Sequence, residues 1–155
     1  MGHWGVRSYE NDEAADALDA GFDRVHGKQY EELMDDRNPL TFEQVQERLA
    51  DPRTLDASIA ALRDSLAGPS PPEAWDELAR LALVGIVVRH AELGVRIPEP
   101  WRQRAILWLE HEEIEWEEAT VRRLRRQKEI GLLRGAAAVD ASAAKSPAEE
   151  GTARK

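Results

Sequence analysis

Asp12, Asp16, Asp19 and Asp23 recur at i, i+4, i+7 and i+11, and His26 follows one turn further on. On a helix that spacing stacks the side chains along one side. Carboxylates and an imidazole in this order admit two chemistries. Asp19, Asp23 and His26 are suitable ligands for a divalent ion, and a metal-dependent hydrolase would use them that way. Without a metal, Asp12, Asp16, Asp19 and Asp23 make an acidic face suited to a basic partner protein. Di-metal sites in helical bundles draw a Glu-x-x-His motif from each of two helices. This chain offers Asp23-x-x-His26 once and no clear second copy, so the partner face leads and the hydrolase is the alternative.

The sharpest charge segregation lies further on. Glu110, Glu112, Glu113, Glu115, Glu117 and Glu118 precede Arg122, Arg123, Arg125, Arg126 and Lys128. Acid at a helix start and base at its end complement the macrodipole, and Glu118 to Arg122 is a favourable i, i+4 pair. The five cations also define a second alternative, a nucleic-acid adaptor. Their helix lacks interleaved aromatics, and the chain carries a net charge of −9, which is a poor nucleic-acid footprint. His111-Glu112-x-x-Glu115 lacks the second histidine of a zinc-protease helix. His90 falls in the last turn of an apolar helix, where the dipole favours its cation; as a general base it has no evident serine partner. There is no cysteine, phosphate loop, dinucleotide fingerprint or nucleophile elbow. No cofactor is expected. The leading expectation is a non-enzymatic interaction module, with an immunity or antitoxin-type protein as one concrete version.

The elements that must position these residues are helical. Residues 75–93 form the most apolar stretch, and 81–88 carry no polar side chain. A helix that is apolar on every side runs through a core. Ser70, Pro71 and Glu73 offer it a capping box and Gly94 a left-handed stop; a strand over 83–88 is the competing assignment. Gly85 within it implies close approach by a neighbouring helix. A first helix over 11–26 starts at Asn11 and ends at Gly27, with Ala15, Leu18, Phe22 and Val25 inward. Thr41 with Gln44, and Asp51 with Pro52, open two more helices. Leu55, Ile59, Leu62 and Leu66 line the second of these. Pro98 and Pro100 force an extended connector before a helix whose inner face holds Trp101, Ala105, Trp108 and Leu109. A break near Glu112 separates it from a last helix over 116–133. The expected architecture is all-α: a compact bundle of five to seven helices around the central apolar helix. It forms one domain over 1–134, with a disordered tail over 135–155, where the composition turns to Ala, Ser, Lys, Glu and Pro.

The opening, Met-Gly-His-Trp-Gly-Val-Arg-Ser-Tyr-Glu-Asn-Asp-Glu-Ala-Ala-Asp, resembles an uncharacterised bacterial family, a domain of unknown function. Its members begin Met-Gly-x-Trp-Gly, then an aromatic, then Asn-Asp and Ala-x-Asp entering a helix. Gly2, Trp4, Gly5, Tyr9, Asn11, Asp12, Ala15 and Asp16 match; Arg7 and Ala17 depart from the pattern. The resemblance covers about the first twenty residues and implies a shared fold without an activity. Physically, Trp4, Gly5 and Asn11 read as a structural motif: an indole plug, a backbone turn and a helix cap. Early charge, with no apolar leader, makes the cytoplasm the expected location. No uncharged run approaches the roughly twenty residues a bilayer requires.

Overall fold

The computed structural model describes residues 7–112 and 119–145, with side chains described as far as Gly135. It is an all-helical bundle of seven α-helices, with no sheet among the described residues: α1 Asp12–His26, α2 Lys28–Leu33, α3 Phe42–Leu49, α4 Pro52–Leu62, α5 Glu77–Glu92, α6 Glu99–Glu110 and α7 Ala119–Lys145.

α5 is the axle. Residues 82–90 are buried without interruption, and α1, α4, α6 and α7 pack around them. The helical assignment of 81–88 holds, but its start differs from expectation. The cap is Asp76, whose side chain accepts from Ala79 N–H, rather than Ser70. Pro72–Ala74 forms a separate 3₁₀ turn, and Trp75 is extended. That extended residue buries its indole in the core, with Nε1 donating to Ser70 O at 3.0 Å. At the far end Gly94 adopts φ +80°, and Val95 N–H reaches back to His90 O at 3.0 Å, so the helix closes in a left-handed cap.

Gly85 admits a neighbour, as its lack of a side chain implies, but the neighbour is not mainly a helix. A Cβ there would lie 2.7 Å from Ser8 O and 2.9 Å from Tyr9 Cα, both in the segment leading to α1, and 2.8 Å from Ala14 Cβ. The N-terminal strap thus lies directly on the central helix. A second close approach was not anticipated. Gly21 of α1 faces Ser58 of α4, where a Cβ would meet Ser58 Cα at 2.6 Å. It rotates the inner face of α1 from Ala15 and Val25, which are half-buried, to Ala14, Ala17 and Gly21 beside Leu18 and Phe22.

The other helix starts follow their caps. Asn11 accepts from Ala14 N–H; Thr41 with Gln44 and Asp51 with Thr54 form capping boxes. α4 widens into a π-helical turn, Arg63–Ala67, which turns Leu66 out to solvent instead of continuing the inner stripe. α6 buries Ala105 and Leu109, while Trp101 and Trp108 are half-buried and flank Trp75 at centroid distances of 6.0 and 6.3 Å. α6 stops at Glu110, near the expected break. α7 runs past the composition change at Gly135 to Lys145. Trp4, Gly5 and residues 113–118 and 146–155 lie outside the described residues, and with them Glu118 and the end of the expected tail.

Candidate functional site

α1 is pinned along its inner face and capped at both ends, so its outer face is a fixed display. Asp12, Asp16, Asp19 and Asp23 are all exposed on it. Among the described residues none of the four makes an ion pair. Asp19 accepts a hydrogen bond from Tyr30 of α2, and burial together with that carboxylate pushes the Tyr30 phenol well above its ordinary range. The stripe extends about 16 Å along the helix axis, at 1.5 Å per residue. Its like charges sit at i, i+3 and i+4, each pair costing a helix about 0.2–0.5 kcal/mol.

His26 does not join Asp19 and Asp23. It turns toward the start of α4, with Nε2 2.7 Å from Leu49 O and 3.9 Å from Asp51 Oδ2. Among the described residues no group of three His, Asp or Glu side chains is arranged to hold a metal ion. Of the three residues named for a hydrolase, Asp19 and His26 are thus turned to different partners.

The basic cluster of α7 divides between inside and outside. Arg122 is buried, with a side chain 3% exposed. It donates to Glu112 Oε1 at 2.7 Å, Glu129 Oε1 at 3.0 Å and Ser8 Oγ at 3.0 Å. Burial works to lower its pKa, but the Glu112 and Glu129 carboxylates outweigh that and hold it raised. Arg125 pairs with Glu92, and Arg126 donates to Glu112 O at 2.9 Å. Only Arg123 and Lys128 of the five are exposed. The arginines expected as a contact surface are mostly the clamp that joins α7 to α5, α6 and the strap.

Glu129 is the residue sequence reasoning missed. Its side chain is 0% exposed, and it accepts from Ser8 N–H at 2.9 Å and Ser8 Oγ–H at 2.6 Å as well as from Arg122. A buried carboxylate needs such donors, and here Ser8 and Arg122 supply them. The network continues through Arg125 and Glu92 to Tyr9, whose hydroxyl donates to Glu92 Oε1 at 2.8 Å. Burial first, and that carboxylate second, push the Tyr9 phenol up to about 12. Ser8, Glu129 and Glu92 thus fasten the strap that α1 hangs from.

His90 also differs from expectation. The helix dipole was expected to favour its cation, but the ring is fully buried, with Nδ1 2.9 Å from Ile86 O and Nε2 2.9 Å from Thr54 Oγ1. Burial lowers its pKa to about 4, so desolvation wins over the dipole and the ring is neutral at pH 7. With no exposed surface it reaches no substrate and serves as a cross-link between α5 and α4.

Comparison with protein-family models, with curated proteins and with solved structures gives no match. Among the described residues no helix is long and apolar enough to cross a membrane.

Proposed function

We propose that this chain is a small acidic protein-interaction module that presents the outer face of α1 to a basic protein. One observation carries the reading. Among the described residues Asp12, Asp16, Asp19 and Asp23 stand exposed without an ion pair, whereas Arg89, Arg102, Arg122 and Arg125 are engaged by carboxylates within the fold. Keeping like charges in register costs the fold roughly 1 kcal/mol over three successive pairs. Among the described residues no ion pair of Asp12, Asp16 or Asp23 offsets that, and of these only Asp12 stands in the first turn where the helix dipole favours it; a basic partner would offset the rest. The stripe is about two Debye lengths long at physiological ionic strength, enough to steer an oppositely charged surface. An immunity or antitoxin-type role in the cytoplasm is the concrete form of this reading. The likeness of the opening to an uncharacterised bacterial family adds a shared fold to it and no activity. The hydrolase and nucleic-acid alternatives receive no comparable support, because His26, Arg122, Arg125 and Arg126 are turned to other partners.

The test is capture from the chain's own cells, comparing the natural protein with an Asp16→Lys, Asp23→Lys double variant. Asp19 is left intact because Tyr30 depends on it. Basic proteins retained by the first and lost by the second, and released by salt, are the expected result. Equal retention by both would remove α1 as the partner face.

A further inference from the structure

α5 and α6 diverge beside the tryptophan cluster and leave a cleft of about 420 Å³, opening into a wider groove of about 750 Å³ along α6. Trp75, Leu81, Val84 and Trp108 form its apolar walls, and the Glu112–Arg122 pair closes one end. Arg80 borders both compartments. Its guanidinium lies 5.3 Å from the centroid of the Trp108 ring, and one Nη donates to Glu73 O at 3.1 Å. Among the described residues it makes no ion pair, and its Nε–H is buried without an acceptor. A buried donor left unfilled costs stability, and a guanidinium edge matches a carboxylate. The rest of the lining restricts what can fill it. Glu112 is already neutralised by Arg122, and Glu77 stands on the exposed rim. With Glu112 and Arg122 paired to each other, a dianion such as phosphate would bring two charges beside Glu77 against the single charge of Arg80, whereas a monoanion is matched by that guanidinium.

We propose that this cleft binds a small amphiphilic carboxylate, its charged group on Arg80 and its flat apolar body against Trp108 and Leu81. The site is separate from the acidic face of α1 and stands or falls independently of it. Occupation gives the Arg80 guanidinium a counter-charge and covers the half-exposed Trp108 ring. The wider groove along α6 leaves room for substituents at the far end of the body.

The experiment is calorimetric titration of the full chain with indole-3-acetate and, separately, with its uncharged analogue indole-3-acetamide. Saturable binding of the acetate, at least about tenfold tighter than the amide, is expected from a charge-assisted pair. Arg80→Gln should reduce the acetate to the affinity of the amide. Absence of saturable acetate binding in the millimolar range overturns the proposal, as does equal binding of acetate and amide by the natural chain. The latter comparison needs no variant. Acetate binding that survives Arg80→Gln unchanged would place the carboxylate elsewhere and also overturn it.

Discussion

Replacing Gly85 by alanine tests whether α5 is gripped by the strap. In an exposed helix the change would stabilise, because alanine exceeds glycine in helix propensity by about 1 kcal/mol. At Gly85 the new Cβ would stand 2.7 Å from Ser8 O and 2.9 Å from Tyr9 Cα. Those are backbone atoms of a segment that cannot rotate aside. It is tied down by Ser8 N–H and Oγ–H, both donating to Glu129. Overpacking of this kind costs about 1–3 kcal/mol. If the strap lifts instead, two bonds to a buried carboxylate weaken, each worth about 1.5–3 kcal/mol. After the propensity gain is deducted, overpacking leaves up to about 2 kcal/mol of destabilisation, or roughly 4–8 °C in Tm at that upper end for a chain near this size, and lifting the strap costs more. Gly131→Ala is the control. It also sits within a helix, but nothing lies within 4 Å of its Cβ position. It should gain about 1 kcal/mol. Urea unfolding followed by circular dichroism measures both. The same substitution is therefore expected to have opposite signs at the two positions, and a stabilised Gly85→Ala would refute the packing argument.

Other consequences follow from the buried polar groups. His90 has a folded pKa of about 4 against an ordinary 6.5, so the unfolded chain takes up the proton first as pH falls. Stability is therefore fully present above pH 6.5 and declines toward pH 4, by roughly 3 kcal/mol. Urea midpoints across that range should show the slope, and His90→Gln should flatten it even though it lowers stability at pH 7. Glu129→Gln keeps a side chain for Ser8 but removes one of the two carboxylates on the buried Arg122, and should cost about 1.5–3 kcal/mol, the worth of a charged hydrogen bond, read as a lower urea midpoint. Asp16→Asn with Asp23→Asn removes like-charge repulsion on α1 and should raise stability by a few tenths of a kcal/mol, a gain that disappears in high salt.

Local signals in the chain announce most helix ends. Asn11, the Thr41–Gln44 box, Asp51 before Pro52, and Gly94 each act within a few residues, and each stands where its chemistry places it. The start of α5 was misplaced because two requirements compete there. Ser70 has the chemistry of a cap, but Trp75 must be extended to reach the core, and the helix begins only afterwards, at Asp76. The face of α1 was misjudged because Gly21 looks like a flaw in an apolar stripe until Ser58 is seen against it. Glu129 was invisible for a different reason. Its partner Ser8 lies 121 residues away, and no local pattern encodes that distance. One signal was available: Glu129 stands seven residues after Arg122 and beside Ile130, on the stripe that α7 buries. The acidic face of α1 was legible because it depends only on helical spacing. Which arginines turn inward was not, because that depends on how α6, α7 and the strap meet.

Carbodiimide labelling of the purified chain, with each carboxylate quantified by mass spectrometry, addresses the sorting of charge most directly. Asp16 and Asp23 should react at the rate of an unstructured peptide, while Glu129 stays unmodified until the protein unfolds. Rapid labelling of Glu129, or protection of Asp16 and Asp23 in the isolated chain, would mean that the α1 face is not the open, uncompensated surface on which the proposed function rests.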